Sequence, residues 1–413
     1  MKKTVIELFA GVGGFRVGLN NIKQMDEKGH AIENGEFEFV WANQWEPSTK
    51  VQHAFDCYNL RFNESNNSNV DISLVDKKEI PNHSLLCGGF PCQDYSVARS
   101  LSNEKGIEGK KGVLWWQIRE ILKEKKTPFV LLENVDRLIK APSKQRGRDF
   151  GIMLRCFAEL GYTVEWRIIN AAEYGFPQRR RRIYIFAYKN DTRFANLMHE
   201  YNAQTILQEQ GIFARQFPIN EIVENVKSVN IMEYKDLVEL SNKFGFPFEN
   251  AGVMIDGIAH TVKTEPILEQ SITLGQIIVN DAEKKYYLDN NKTQKFAYLR
   301  DNKKILRTRP DGSKYFYSEG AMSPVDELNL PGRTMLTSEG SVNRSTHIII
   351  DPTTNNLRIL TPVECERLNQ FPDNWTNSGM PENRRYFMMG NALVCGIVKR
   401  LGVEINRIIE NEA

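Results

Sequence analysis

Residues 3–22 read KTVIELFAGVGGFRVGLNNI, and how this stretch folds decides the class of the whole chain. Residues 3–9 form a mostly apolar run of strand length, and residues 10–14 crowd three glycines into a turn. From 15 to 22 the side chains Phe15, Val17, Leu19 and Ile22 have spacing compatible with a helix. Strand, glycine turn and helix in that order make the context a nucleotide-type cofactor loop requires. The glycines let the backbone approach a ligand, and the helix N-terminus favours negative charge. A short glycine run is also what any tight turn needs, so the rest of the chain has to support the reading.

Working outward, strand-like runs recur at 37–42, 84–87, 129–133, 163–170 and 182–187. Helical patterns separate them at 51–60, 113–123 and 150–160. Strands alternating with helices predict parallel βαβ units in a doubly wound α/β sheet. The rhythm stops near Lys189. Residues 190–345 carry scattered Gly, Asn, Lys and aromatic side chains with turn-like clusters, and residues 63–69 read as a polar loop. Helical signal returns at 362–369 and 392–411. A chain of 413 residues exceeds the usual size of one core. The expectation is a catalytic domain begun by 1–189, interrupted by a smaller irregular α+β domain at 190–345, and completed by 346–413.

Composition narrows the class. Hydrophobic residues make up 41% and charged residues 26%, an ordinary globular balance. No apolar run approaches the ~20 residues that span a bilayer, and Glu7 interrupts the N-terminal apolar run before a signal-peptide core forms. No membrane association is expected, and a cytoplasmic location is. Six dispersed cysteines without a CxxC pair argue against structural zinc and against a disulfide framework. No metal is expected. A formal net charge of +2 means that any nucleic-acid contact must come from a local patch.

Several segments carry chemistry. Glu46 follows the second strand, where a carboxylate can bind ribose hydroxyls, and Asp71-Ile72 precede the third. Each also reads as a helix cap or a solvated acid. Residues 88–96 read GGFPCQDYS, placing Cys92 between Pro91 and Gln93 on a loop. Most free cysteines are buried and inert, but an exposed thiol there is a candidate nucleophile. Glu133-Asn134-Val135 ends an apolar strand at the sheet edge where α/β folds bind ligands. Gln178 is followed by four arginines. Strand alternation would send Arg180 and Arg182 to one face and Arg179 and Arg181 to the other. No histidine lies near these segments, so a Cys-His pair has no second member.

Five blocks in order, Phe9–Gly14, GGFPCQDYS, Glu133–Val135, Gln178–Arg182 and Gly390–Val394, resemble the DNA (cytosine-5) methyltransferases. The resemblance implies a Rossmann-like, mostly parallel S-adenosylmethionine-dependent methyltransferase fold with an inserted target-recognition domain at 190–345. It implies that Phe9, Gly11 and Gly13 form the S-adenosylmethionine loop, with Glu46 on the ribose, Asp71 and Ile72 beside the adenine, and Asn391 in the closing motif. Cys92 matches the nucleophile, Glu133 the acid at the pyrimidine edge, and Arg180 and Arg182 the arginines beside it. Ala392 stands where the family commonly has serine, and the arginine run is longer than usual.

The partner implied is double-stranded DNA, with the target cytosine flipped out of the stack at a cost of ~ a few kcal/mol. Gln93, Ser96 and Arg99 on the cysteine loop, and Arg333, Asn343 and Arg344 in the insert, are the expected DNA contacts. The stretches around Cys92 and 333–347 also resemble members that methylate cytosine within GATC. A monomer is expected, paired in function with a restriction endonuclease without a stable complex. The competing readings are a tRNA cytosine-5 methyltransferase, which usually has a smaller insert, a non-catalytic DNA-binding relative, and a cysteine-based redox or hydrolase enzyme.

Overall fold

The computed structural model describes residues 1–90, 114–309 and 311–412. Period-two alternation builds its centre. In β1 (Thr4–Leu8) Val5 enters one apolar cluster, while Ile6 and Leu8 enter another on the opposite face. The same division splits Phe129 and Leu131 from Val130 and Leu132 in β4 (Phe129–Val135). It also splits Tyr184, Phe186 and Tyr188 from Ile183, Ile185 and Ala187 in β6 (Arg181–Lys189). A sheet apolar on both faces must be covered on both. Helices α1 (Gly14–Leu19) and α2 (His53–Phe62) contribute to the first cluster, and α3 (Leu114–Lys125) and α4 (Arg148–Glu159) to the second. Each large apolar side chain so buried contributes ~1.5–3 kcal/mol.

With β2 (Glu38–Asn43), β3 (Leu85–Gly89) and β5 (Tyr162–Asn170), the strand order begins β2-β1-β3-β4-β6-β5. β2, β1, β3 and β4 pair in parallel, as the alternating sequence predicts. β6 runs antiparallel to both β4 and β5, which the alternation did not predict. The physical reason is the connection: residues 171–180 are too few for the crossover of roughly a dozen residues that a parallel pair needs.

The alternation does not end cleanly at Lys189. β7 (Lys227–Asn230), β8 (Ala251–Ile255) and β9 (Ile258–Val262) extend the same sheet beyond β5, for nine strands in all, with α5 (Arg193–His199) and α6 (Leu237–Lys243) between them. Asp256 and Gly257, both at positive φ, close the β8–β9 hairpin, the backbone that an Asp-Gly turn supplies. After α7 (Asn290–Arg300), a separate hairpin of β10 (Lys303–Thr308) and β11 (Lys314–Glu319) stands outside the sheet.

The last segment returns to the start. β12 (Ile348–Ile350) and β13 (Leu357–Ile359) lead into α8 (Pro362–Leu368), α9 (Glu382–Asn391) and α10 (Cys395–Asn411). Cys395 and Val398 of α10 lie against Gly18 of α1, and the Trp375 indole N–H donates to the Val12 carbonyl at 2.8 Å. The C-terminal helices therefore back the glycine turn that opens the chain.

Candidate active site

β1 lies between β2 and β3, so the chain direction of winding reverses beside it, and a crevice opens at the carboxyl ends of these strands. The glycine turn occupies that point. Gly11 and Gly13 have φ of 55° and 88°, which side-chain-bearing residues rarely adopt. A Cβ on Gly11 would meet no atom within 4 Å, so open space lies over this backbone. Phe9 also has positive φ, at 55°, a strained conformation of the kind that clusters at ligand sites.

Hydrogen bonds draw two further segments to this edge. Gly11 N–H donates to the Gln44 side chain at 2.8 Å, and the Asn43 amide donates to the carbonyl of Val70 at 3.0 Å. Glu46 and Asp71 thus flank the turn. Arg384 of α9 holds Glu46 Oε1 at 2.6 Å, while Glu46 Oε2 is buried with no hydrogen-bond partner among the described residues. A buried carboxylate oxygen without a donor is costly, and ribose hydroxyls are suitable donors. Asp71 accepts from Ser73 N–H and so caps a short turn; Ile72 is buried. Open backbone, an orphaned carboxylate oxygen and a helix N-terminus fit the nucleoside end of S-adenosylmethionine.

The second half of the site lies at the end of β4. Glu133 pairs with Arg182 across the β4–β6 ladder, with Arg182 Nε 3.0 Å from Glu133 Oε1. Burial pushes the Glu133 carboxyl above the ordinary carboxylate range, against the opposing pull of Arg182 and Arg180. Asn134 donates to the carbonyl of Phe90 at 3.0 Å and so fixes the residue from which the cysteine segment departs. Cys92, Gln93, Ser96 and Arg99 lie outside the described residues. The five described cysteines are all buried, and burial pushes their thiols up, Cys57 to about 11 and Cys156 to about 12.

The arginine run divides as strand alternation predicts. Arg179 and Arg181 are exposed, whereas Arg180 is buried and Arg182 half-buried. Arg180 donates to the carbonyls of Met335 and Gly390 at 3.1 and 3.0 Å. It clamps the insert to the closing motif. Gly390 is needed there, because a Cβ would lie 2.5 Å from the backbone of Leu336 and Thr337. Asn391 is exposed at the end of α9.

A model of the C-5 cytosine-specific DNA methylases matches residues 3–407. The chain belongs to that family. It is 51% identical to the type II methyltransferase M.Sau3AI of Staphylococcus aureus, over 98% of this chain and 96% of that one. It is 31% identical to M.HhaI of Haemophilus parahaemolyticus over 56% of this chain and 61% of that one. Among solved structures, Entamoeba histolytica EhMeth superposes with a TM-score of 0.59 at 15% identity, covering 100% and 99% of the two chains. Spodoptera frugiperda DNMT2 gives 0.58 at 15% identity, covering 98% and 99%. These two likenesses concern the fold alone. The protein is an S-adenosylmethionine-dependent DNA (cytosine-5) methyltransferase of the type II restriction-modification kind.

In this methyltransferase the expected base readers of the insert have internal partners. Arg333 pairs with Asp326 and donates to the Ser345 carbonyl at 3.1 Å. Arg344 pairs with Glu319 at 2.9 Å. The Asn343 side-chain oxygen accepts from Ser345 N–H at 3.0 Å, and the residue is exposed. His347 is buried against Glu339 at 2.9 Å. Glu7, Asn134, Gln178 and Asn369 have structural roles that the sequence alone did not assign. Glu7, fully buried in β1, accepts from Phe15 N–H at 3.1 Å and bonds the Tyr58 hydroxyl, which ties the glycine turn to α1 and α2. Burial pushes its carboxyl up to about 8. Gln178 accepts from Met335 N–H and donates to Asn369, locking the arginine run to both the insert and α8. A lone acid inside Val5-Ile6-Glu7-Leu8 was the available signal for Glu7, and Asn134 and Gln178 stand inside the blocks Glu133–Val135 and Gln178–Arg182; no local pattern marks Asn369.

Proposed function

We propose that this methyltransferase modifies C5 of a flipped-out cytosine within GATC through a covalent bond between Cys92 and C6. Buried thiols are poor nucleophiles, and all five described cysteines are buried, so the candidate left is Cys92, two residues along the chain from Phe90, which Asn134 fixes. Its thiolate adds at C6 while Glu133, whose carboxyl burial pushes above the ordinary carboxylate range, donates a proton at the pyrimidine N3 edge. Charge created by addition is thereby neutralised as it forms. Arg182 holds the Glu133 carboxyl in place, and Arg180 clamps Met335 to Gly390. When bound, S-adenosylmethionine supplies an electrophilic methyl group to C5. Water takes the C5 proton, the C6–S bond breaks to release the Cys92 thiolate, and N3 returns its proton to Glu133. The observation that carries this reading is the half-buried Glu133–Arg182 pair at the strand end adjoining Phe90.

Phe9, Gly11, Gly13, Glu46, Asp71, Ile72 and Asn391 hold the methyl donor in this proposal. Residues 190–345 read the target sequence, with Gln93, Ser96 and Arg99 as further DNA contacts. GATC is proposed because the match to M.Sau3AI, 51% identical overall, spans 98% of this chain, and because of the sequence resemblance at 333–347. The enzyme acts as a cytoplasmic monomer that protects DNA from a restriction endonuclease without forming a stable complex with it. The test is bisulfite sequencing of DNA from cells expressing the protein, beside labelled methyl transfer to duplex DNA and to tRNA. Modified cytosines confined to GATC are expected; another motif overturns the site, and transfer to tRNA alone overturns the substrate.

A further inference from the structure

We propose that the β10–β11 hairpin is a two-stranded ribbon that enters the DNA major groove with one chosen face, and that it discriminates the target sequence. This rests on the function proposed above and names the element that reads the DNA. The hairpin register fixes the two faces. Ile305 opposes Tyr317 and Arg307 opposes Tyr315 on one; Lys304 opposes Ser318, Leu306 opposes Phe316 and Thr308 opposes Lys314 on the other.

On the first face, Arg307 stacks over the Tyr317 ring at 3.9 Å, and Ile305 and Tyr317 are each 37% exposed. On the second, Leu306 is 53% and Phe316 68% exposed, flanked by lysines and hydroxyls. An isolated hairpin is marginally stable, and an exposed Leu–Phe pair on it needs a cover. Charge selects the cover. Between Lys303 and Glu319 there are five basic and two acidic residues, which suits a polyanion.

Shape agrees. Six residues per strand span ~20 Å, and a major groove ~12 Å wide admits a two-stranded ribbon. Lysines can meet phosphates, hydroxyls can meet base edges, and Leu306 and Phe316 suit thymine methyl groups. The ribbon is also held at a set angle. Arg344 ties Glu319 at its base to the loop that Arg180 clamps, and Arg300, buried just before β10, bonds Asp326, the partner of Arg333. Arg333 and Arg344 thus act as positioning residues for the ribbon.

The full-length protein tests this with paired variants. Leu306→Ala/Phe316→Ala should lose about tenfold or more of the preference for a GATC duplex over one with a single base pair changed. Ile305→Ala/Tyr317→Ala, on the opposite face, should keep it. Lys304→Ala/Lys314→Ala should weaken all duplexes alike and lower the salt slope of binding by ~0.9 per lost phosphate contact. Melting temperature and S-adenosylmethionine binding should match wild type in every variant. Unchanged discrimination in Leu306→Ala/Phe316→Ala, equal losses from both faces, or altered sedimentation with unaltered DNA binding would overturn the ribbon's role. Wild-type protein that methylates no duplex would instead overturn the function on which it rests.

Discussion

Replacing Arg182 with Gln should move the alkaline limb of the methyl-transfer rate to higher pH. Glu133 must carry a proton to donate at N3, so the rate falls as pH rises through its pKa. Burial raises that pKa and Arg182 opposes the rise, so removing Arg182 raises it further. At 3.0 Å and an effective dielectric of ~20, the gross attraction is ~5–6 kcal/mol. Most of that is offset by desolvation, and hydrogen bonds to charged groups contribute ~1.5–3 kcal/mol net. The limb should therefore move to higher pH. The maximal rate should also fall, because Glu133 loses the group that orients it. The assay is single-turnover methyl transfer to saturating duplex from about pH 6 to about pH 10. Glu133→Gln, run in parallel, should abolish the limb and lower the rate by orders of magnitude while leaving duplex binding intact. A limb that stays in place, or moves down, in Arg182→Gln refutes the assignment of Glu133 as the proton donor.

Cys92→Ser should eliminate turnover while preserving S-adenosylmethionine binding by calorimetry, since an alcohol is far less ionised than a thiol. Glu46→Gln should weaken that binding about tenfold or more without moving the melting temperature, because one oxygen of Glu46 has no partner among the described residues. Glu7 has a folded pKa of about 8, above the ordinary ~4.3, so the stability it contributes is full below the ordinary value and lost as pH rises through about 8. Glu7→Gln removes that loss, so its melting temperature should gain on wild type from pH ~5 to ~9; parallel curves would contradict the burial argument. Gly390→Ala should cost ~2 kcal/mol or more, because its Cβ meets the backbone of Leu336 and Thr337 at 2.5 Å, as read by denaturant unfolding.

How much of this was legible in the sequence depended on whether the cause was local. The strand-turn-helix at 3–22 and the burial of Arg180 beside exposed Arg179 and Arg181 follow from periods of two and 3.6, and the structure shows them. The reversed β6 was signalled only by the shortness of 171–180, a length argument that alternation hides. The Asp256-Gly257 hairpin had a short-range signal between apolar runs, and it carries the sheet on into the region that reads as irregular. The clamp from Arg180 to Met335 and Gly390 joins residues 155 and 210 positions apart, and Gln178–Asn369 joins residues 191 apart. No local pattern encodes such contacts. The same holds for Arg333 and Arg344, whose types suit base reading but whose partners, Asp326 and Glu319, turn them inward. Residue type announced the chemistry, and tertiary packing decided which arginines could use it.

The covalent step can be tested directly by trapping. A duplex carrying 5-fluorocytosine at the GATC cytosine has no C5 proton to release, so after methyl transfer the thiol cannot leave. Incubation with the enzyme and S-adenosylmethionine, followed by denaturation, digestion and mass spectrometry, should yield a methylated nucleotide attached to Cys92 and to no other residue. Trapping on a different side chain, or complete methylation of unmodified duplex with no adduct on the fluorinated one, would contradict the account.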